Sequence, residues 1–182
     1  MTFRSRTRGI RAILRPALLA GTLVLSVCAV PALAAPSASG ADQASFAAVR
    51  AATAAYHNLN AAKAAGYGLF PGCFTDPAGG MGIHYVDFGS VNDGVVDPLK
   101  PEALVYEPTA GTGMRLVAVE YVQLASGWSG NQAPSVYGHP LVFTPAPNEF
   151  GLPDFYELHV WLWQPNPKGM FTEWNPSVSC PD

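Results

Sequence analysis

The sequence predicts an α+β fold: one N-terminal helix packed on a curved antiparallel sheet, a roll or half-barrel, in a single domain. Three observations point there. A helical apolar period is confined to residues 43–65, where Phe46, Val49, Ala52, Tyr56, Leu59 and Ala62 recur at spacings of three and four. Beyond Gly66, short β-branched and aromatic runs alternate with Gly- and Pro-containing turns. The length left after a secretory leader is that of one domain with a sizeable core.

The leader comes first. Arg4, Arg6, Arg8, Arg11 and Arg15 precede an apolar stretch from Ala17 to Val30, and Ala32-Leu33-Ala34 supplies the small residues of a cleavage site. That stretch is shorter than the roughly 20 residues of a spanning helix. Residues 1–34 therefore read as a signal peptide, residues 35–41 as a flexible leader and residues 42–182 as the α+β domain. Asp42 is a plausible N-cap for the helix, and Gly66 stops it. Strands are expected at Ile83–Phe88, Leu104–Glu107, Arg115–Gln123, Leu141–Thr144 and Tyr156–Gln164. Gly111-Thr112-Gly113 should link the second and third of these as a hairpin. Asn92-Asp93-Gly94, residues 127–134 and residues 145–153 read as turns and loops.

Composition narrows the function classes. Cleavage removes five arginines and leaves Arg50, Lys63, Lys100, Arg115 and Lys168 against all 13 acidic residues, a formal charge of −8. So acidic a chain has no electrostatic footprint for nucleic acid, and it lacks the basic helix face that binds anionic membranes. Cys73 and Cys180 remain after cleavage, and in an exported protein an even pair reads as a disulfide.

Three of the four histidines lie in β-like segments, as does one glutamate: His84 in Gly82–Val86, Glu120 in Val117–Tyr121, His139 in Tyr137–Pro140 and His159 in Leu158–Trp161. Side chains alternate faces along a strand. Glu120 then shares a face with Leu116, Ala118 and Val122; His159 with Glu157, Trp161 and Trp163; His84 with Val86 and Phe88. If these faces turn the same way, His84, Glu120 and His159 converge. Two imidazoles and a carboxylate can hold Zn²⁺, Fe²⁺, Mn²⁺ or Cu²⁺ with positions open to water or a small-molecule ligand. His139 is a candidate fourth ligand, although Gly138 and Pro140 place it at a strand end. The same groups can instead work without metal, with Glu120 as base and a histidine as acid. The plainer alternative is structural: a hydrogen-bonded core histidine, and a Glu120 paired with Arg115 or a tyrosine hydroxyl. The abundant aromatics are mostly core, with a minority available to line a groove for a sugar or an apolar ligand. No GxSxG, P-loop or GxGxxG occurs.

The ordered set Gly80-Met81-Gly82-Ile83-His84-Tyr85, Lys100–Tyr106, Arg115–Tyr121, Leu158–Trp163 and Asn166-Pro167 through Trp174-Asn175-Pro176 to Cys180 resembles a family of exported bacterial single-domain proteins. The resemblance spans roughly residues 52–180. It implies export and one domain, but no reaction, because the family carries no assigned activity. The chain differs from cupins, whose first motif has a His-x-His pair that this sequence lacks.

Overall fold

The computed structural model describes residues 40–111 and 113–180; the signal peptide expected over 1–34 lies outside them. Helix α1 (Gly40–Thr53) is followed by a 3₁₀ turn (Ala54–His57) and a short helix α2 (Leu59–Ala64). The strands are β1 (Gly68–Asp76), β2 (Gly79–Val86), β3 (Ala103–Pro108), β4 (Met114–Leu124), β5 (Ser135–Val136), β6 (His139–Pro140), β7 (Val142–Thr144) and β8 (Phe155–Val160). Six of them form one sheet in the order β1-β2-β3-β4-β8-β7, curled into a half-barrel, with every neighbouring pair antiparallel. Strands β5 and β6 pair separately. The expected α+β architecture is the observed one. Among the described residues no helix is long and apolar enough to cross a membrane.

The helix departs from expectation in its middle. Instead of running unbroken to residue 65 it changes to 3₁₀ geometry and restarts after Asn58. The cause is local competition for backbone groups. Asn58 leaves helical geometry (φ −90°, ψ 106°), and its side chain accepts the Asn60 N–H at 3.0 Å, a new N-cap. Two residues earlier the Tyr106 hydroxyl donates to the Tyr56 carbonyl at 2.6 Å, drawing that carbonyl towards the sheet. The helical layer stays anchored by buried Phe46, Val49 and Ala62, and the Arg50 Nε donates to the Leu162 carbonyl at 3.2 Å.

The sheet is buried on both faces. On the helix side, Tyr85, Leu104, Tyr106, Leu116, Val119, Tyr121, Leu158 and Val160 form the main core with the helical residues. On the other side, Val105, Val117, Ala118, Trp161 and Val178 form one cluster, and Val86, Ala103, Val122 and Phe155 another. Buried tyrosine hydroxyls on the helix side are satisfied by carbonyls: Tyr67 donates to Pro101 at 2.8 Å and Tyr121 to Pro98 at 2.6 Å.

Two sheet features escape sequence patterning. Strand β1 holds Pro71 and Gly72 and shifts register between Leu69 and Cys73, so its alternation is broken. In β4, Val105 of β3 pairs with Ala118 and Tyr106 with Leu116, which leaves Val117 as an extra residue. This bulge puts Leu116 in the helix-side core and Val117 with Ala118 on the opposite side. Leu116 was expected on the face of Glu120, and the bulge is the reason it is not. The displaced Val117 carbonyl is used: the Trp163 and Gln164 N–H groups both donate to it, at 3.1 and 3.2 Å. That contact turns the chain out of the sheet after Val160. Trp161 therefore stays on the His159 side, whereas Trp163, expected there too, packs against the helix-side core.

The chain end returns across the start of β2. Gly80 and Asn175 exchange two backbone hydrogen bonds, each 3.1 Å. A Cβ on Gly79 (φ +145°) would lie 2.3 Å from the Asn175 carbonyl carbon, so only glycine admits this crossing. Cys73 and Cys180 close a disulfide with Cα atoms 5.7 Å apart, tying the tail to β1.

Candidate metal centre

The site is built on the face of the sheet opposite the helices. His84 lies in β2, Glu120 in β4 and His159 one residue before the end of β8, and Glu120 is directly paired with His159. His84 is separated from them by β3, since neighbouring strands lie about 4.8 Å apart and β2 and β4 are therefore nearly twice that. The β3 residues between them explain how the gap is bridged. Val105 faces His84 and Ala103 faces Glu120 in the register, so the shared floor is a methyl and an isopropyl group. Over so low a floor the longer His and Glu side chains reach each other.

They meet closely. His84 Nε2 lies 3.2 Å from His159 Nε2 and 3.3 Å from Glu120 Oε2. His159 Nδ1 is 3.5 Å from Glu120 Oε1. One donor atom from each residue can be chosen so that all lie within 4.8 Å of one another, and all three residues are buried. The cluster is therefore a group able to hold a metal ion. His159 also stacks on Trp161, with ring centroids 6.0 Å apart and planes 20° from parallel. The Nδ1 atoms of His84 and His159 have no hydrogen-bond partner among the described residues.

Electrostatics favour neutral forms in the metal-free cluster. Burial lowers the His84 pKa to about 4 and holds that of His159 well below the usual imidazole range, with the His84 ring adding to the effect on His159. Burial raises Glu120 well above the usual carboxylate range, and the Glu157 carboxyl beside it pushes the same way. The cluster is thus neutral: the His84 Nε2–His159 Nε2 contact is a hydrogen bond, and the approaches of the two rings to Glu120 are not ion pairs. Glu157 is two residues from His159 on the same face of β8. It hydrogen-bonds to Glu120 and accepts the Thr144 hydroxyl, and burial raises its pKa as well. Glu173, from the C-terminal segment, is pushed up to about 7 by burial and by the Glu157 and Glu149 carboxylates.

Other sequence candidates are placed elsewhere. His139 is on β6, on the helix side. Its Nε2 lies 2.8 Å from Asp42 Oδ1 and its ring stacks on Phe171 at 4.0 Å, so it is not a fourth member of the cluster. Asp42 correspondingly sits in the first turn of α1, which begins at Gly40. Arg115 pairs with Glu107 across β3 and β4, and the Tyr106 and Tyr121 hydroxyls serve carbonyls, so none of them is the partner of Glu120.

Sequence reasoning missed two parts of the site. Glu157 was legible as a face-mate of His159 by strand alternation, yet no motif marked its role. A cavity of about 210 Å³ opens beside the cluster, with His84, Glu120 and Glu157 on its wall and Phe70, Phe74, Phe150 and Phe155 among its apolar lining. It is assembled from β1, β2, β4, β8 and the loop at Phe150–Pro153, a combination with no sequence signature. No family model, curated protein or solved structure matches this chain.

Proposed function

We propose that this domain binds a divalent transition metal ion through His84, Glu120 and His159, leaving coordination positions open towards a small ligand in the adjoining cavity. The observation that carries the reading is the donor spacing. Bonds of about 2.0–2.1 Å at tetrahedral angles set ligand atoms roughly 3.3 Å apart. The His84 Nε2–His159 Nε2 and His84 Nε2–Glu120 Oε2 separations are 3.2 and 3.3 Å. Two imidazoles and one carboxylate suit Zn²⁺, Fe²⁺, Mn²⁺ or Cu²⁺ and leave room for water or substrate, the arrangement of a reactive rather than a closed structural centre. Metal binding would draw the proton from Glu120 and leave Glu157, hydrogen-bonded to it, as the adjacent acid or base. The disulfide supports an extracytoplasmic location, where such bonds persist.

Elemental analysis of untagged protein is the test. The expected result is close to one equivalent of a transition metal, lost in His159→Ala with the fold retained. Wild-type protein that takes up no Zn²⁺, Fe²⁺, Mn²⁺ or Cu²⁺ overturns it. The Glu120–Glu157 contact favours a second reading, metal-free acid–base chemistry by the same residues. That reading predicts full activity after exhaustive chelation.

A further inference from the structure

The cavity beside the metal cluster is unusual in what it lacks. Five of the chain's nine phenylalanines (Phe70, Phe74, Phe88, Phe150 and Phe155) line it. Among the described residues, the polar side chains on its wall are His84, Glu120 and Glu157, gathered at one end and in contact with one another or with their neighbours. Among the described residues no lysine or arginine reaches it. A carboxylate or phosphate ligand would therefore meet no protein cation. A sugar would leave most of its hydroxyls without partners, and unpaired buried polar groups are costly.

Size and shape narrow the occupant further. An apolar cavity of about 150 Å³ accommodates benzene, so about 210 Å³ suits one ring with a short substituent. The wall is braced by edge-to-face ring contacts. Phe150 sits at 76° to Phe74 and at 80° to Phe155, with centroids 5.0 and 5.9 Å apart. Interdigitated rings of this kind ordinarily close a core completely, because protein interiors leave few spaces larger than a water molecule. Here they instead frame a chamber. Phe88, 56% exposed, and Pro153, also exposed, stand at its mouth. A site that is mostly apolar with a few convergent polar groups is the usual form of a small-molecule pocket.

We infer that this cavity binds a small uncharged, mainly hydrophobic molecule of single-ring size, its one polar group directed at the His84–Glu120–Glu157 end. The apolar body is held by the phenylalanines, and the polar group is delivered to the metal cluster. The direction of that polar group rests on the metal reading above; occupation of the cavity does not.

The test uses 2-phenylethanol, the isosteric anion phenylacetate, and glucose as probes. Their binding is measured by calorimetry to the folded chain, both chelator-treated and loaded with Zn²⁺. The alcohol should bind the chelated protein at least tenfold more tightly than phenylacetate, and glucose should not bind. Leu152→Trp projects an indole into the chamber from its rim and should weaken the alcohol at least tenfold with Zn²⁺ uptake unchanged. His159→Ala should lose Zn²⁺ yet still bind the alcohol. If Leu152→Trp fails to fold, Val91→Trp on another wall gives the same readout. Alcohol binding in a wild-type protein that takes up no metal supports the cavity assignment and overturns the metal reading alone. No alcohol binding, binding undiminished by both tryptophans, or tighter binding of phenylacetate or glucose to the chelated protein overturns the inference.

Discussion

Glu102 offers a sharp test of how burial shapes this protein's stability. It precedes β3, is only 1% exposed, and accepts the Val122 N–H at 3.1 Å. Burial raises its pKa from 4.5 to about 8, and the Asp93 and Asp97 carboxylates add to the rise. The folded state therefore keeps a proton between pH 4.5 and about 8 that the unfolded chain has released. Stability from this group is complete below pH 4.5 and is lost as pH rises through that window. The slope approaches 1.4 kcal/mol per pH unit, giving about 3 kcal/mol at pH 7 and roughly 4–5 kcal/mol above pH 8. Glu102→Gln keeps an acceptor for Val122 and removes the ionisation. Urea unfolding followed by tryptophan fluorescence at pH 5, 6, 7 and 8 gives both stability curves. The other buried carboxyls are present in both proteins, so the difference reports chiefly on Glu102. The variant should match wild type near pH 5 and exceed it increasingly above. Parallel curves would refute the assignment of the rise to burial of this carboxyl.

Further outcomes follow from the same geometry. Metal uptake just above the ordinary carboxylate range should release protons, because burial raises the Glu120 pKa well above that range and Glu120 must ionise to ligate; pH-indicator titration with Zn²⁺ measures it, and zero release would contradict its raised pKa. Ala103→Leu fills the low floor between His84 and Glu120 and should abolish stoichiometric metal binding while circular dichroism stays native; undiminished uptake would show that the floor is irrelevant. Gly82→Ala, at φ +102° with the new methyl 2.7 Å from the Tyr106 carbonyl oxygen, should cost about 1–3 kcal/mol in chemical denaturation; a neutral result would mean that β2 and β3 separate freely. Reducing Cys73–Cys180, which encloses a separation of 107 residues, should cost on the order of 4 kcal/mol on chain-entropy grounds, read as a lower urea midpoint.

Much of the cluster was legible because it obeys strand alternation. His84, Glu120 and His159 each sit within a regular stretch of β-strand, and there a period of two fixes the face. Legibility failed wherever a non-local partner took a backbone group. Asn58 and the Tyr106 hydroxyl break a helix whose apolar period continues through the break. The bulge at Val117 reverses the phase of Leu116, and its carbonyl ends β8 early for Trp163. Strand β1 was missed because Pro71 and Gly72 mask it, and Phe70 and Phe74 of the cavity went with it. His139 carried the same local signal as the true members. What separates it is Asp42, 97 residues away in sequence, a pairing that strand patterning has no means of registering.

The disulfide has a topological consequence. Residues 84, 120 and 159 all fall between Cys73 and Cys180. The site-bearing strands β2, β4 and β8 thus lie in a covalently closed ring, with both helices and the start of β1 attached outside it. A single protease cut in the exposed stretch at Pro145–Pro147 would open the ring into a linear strip without releasing a fragment, and all three members of the cluster would stay on one covalent molecule. Hydrolysis at that point is a change of chain connectivity rather than a loss of any part of the cluster.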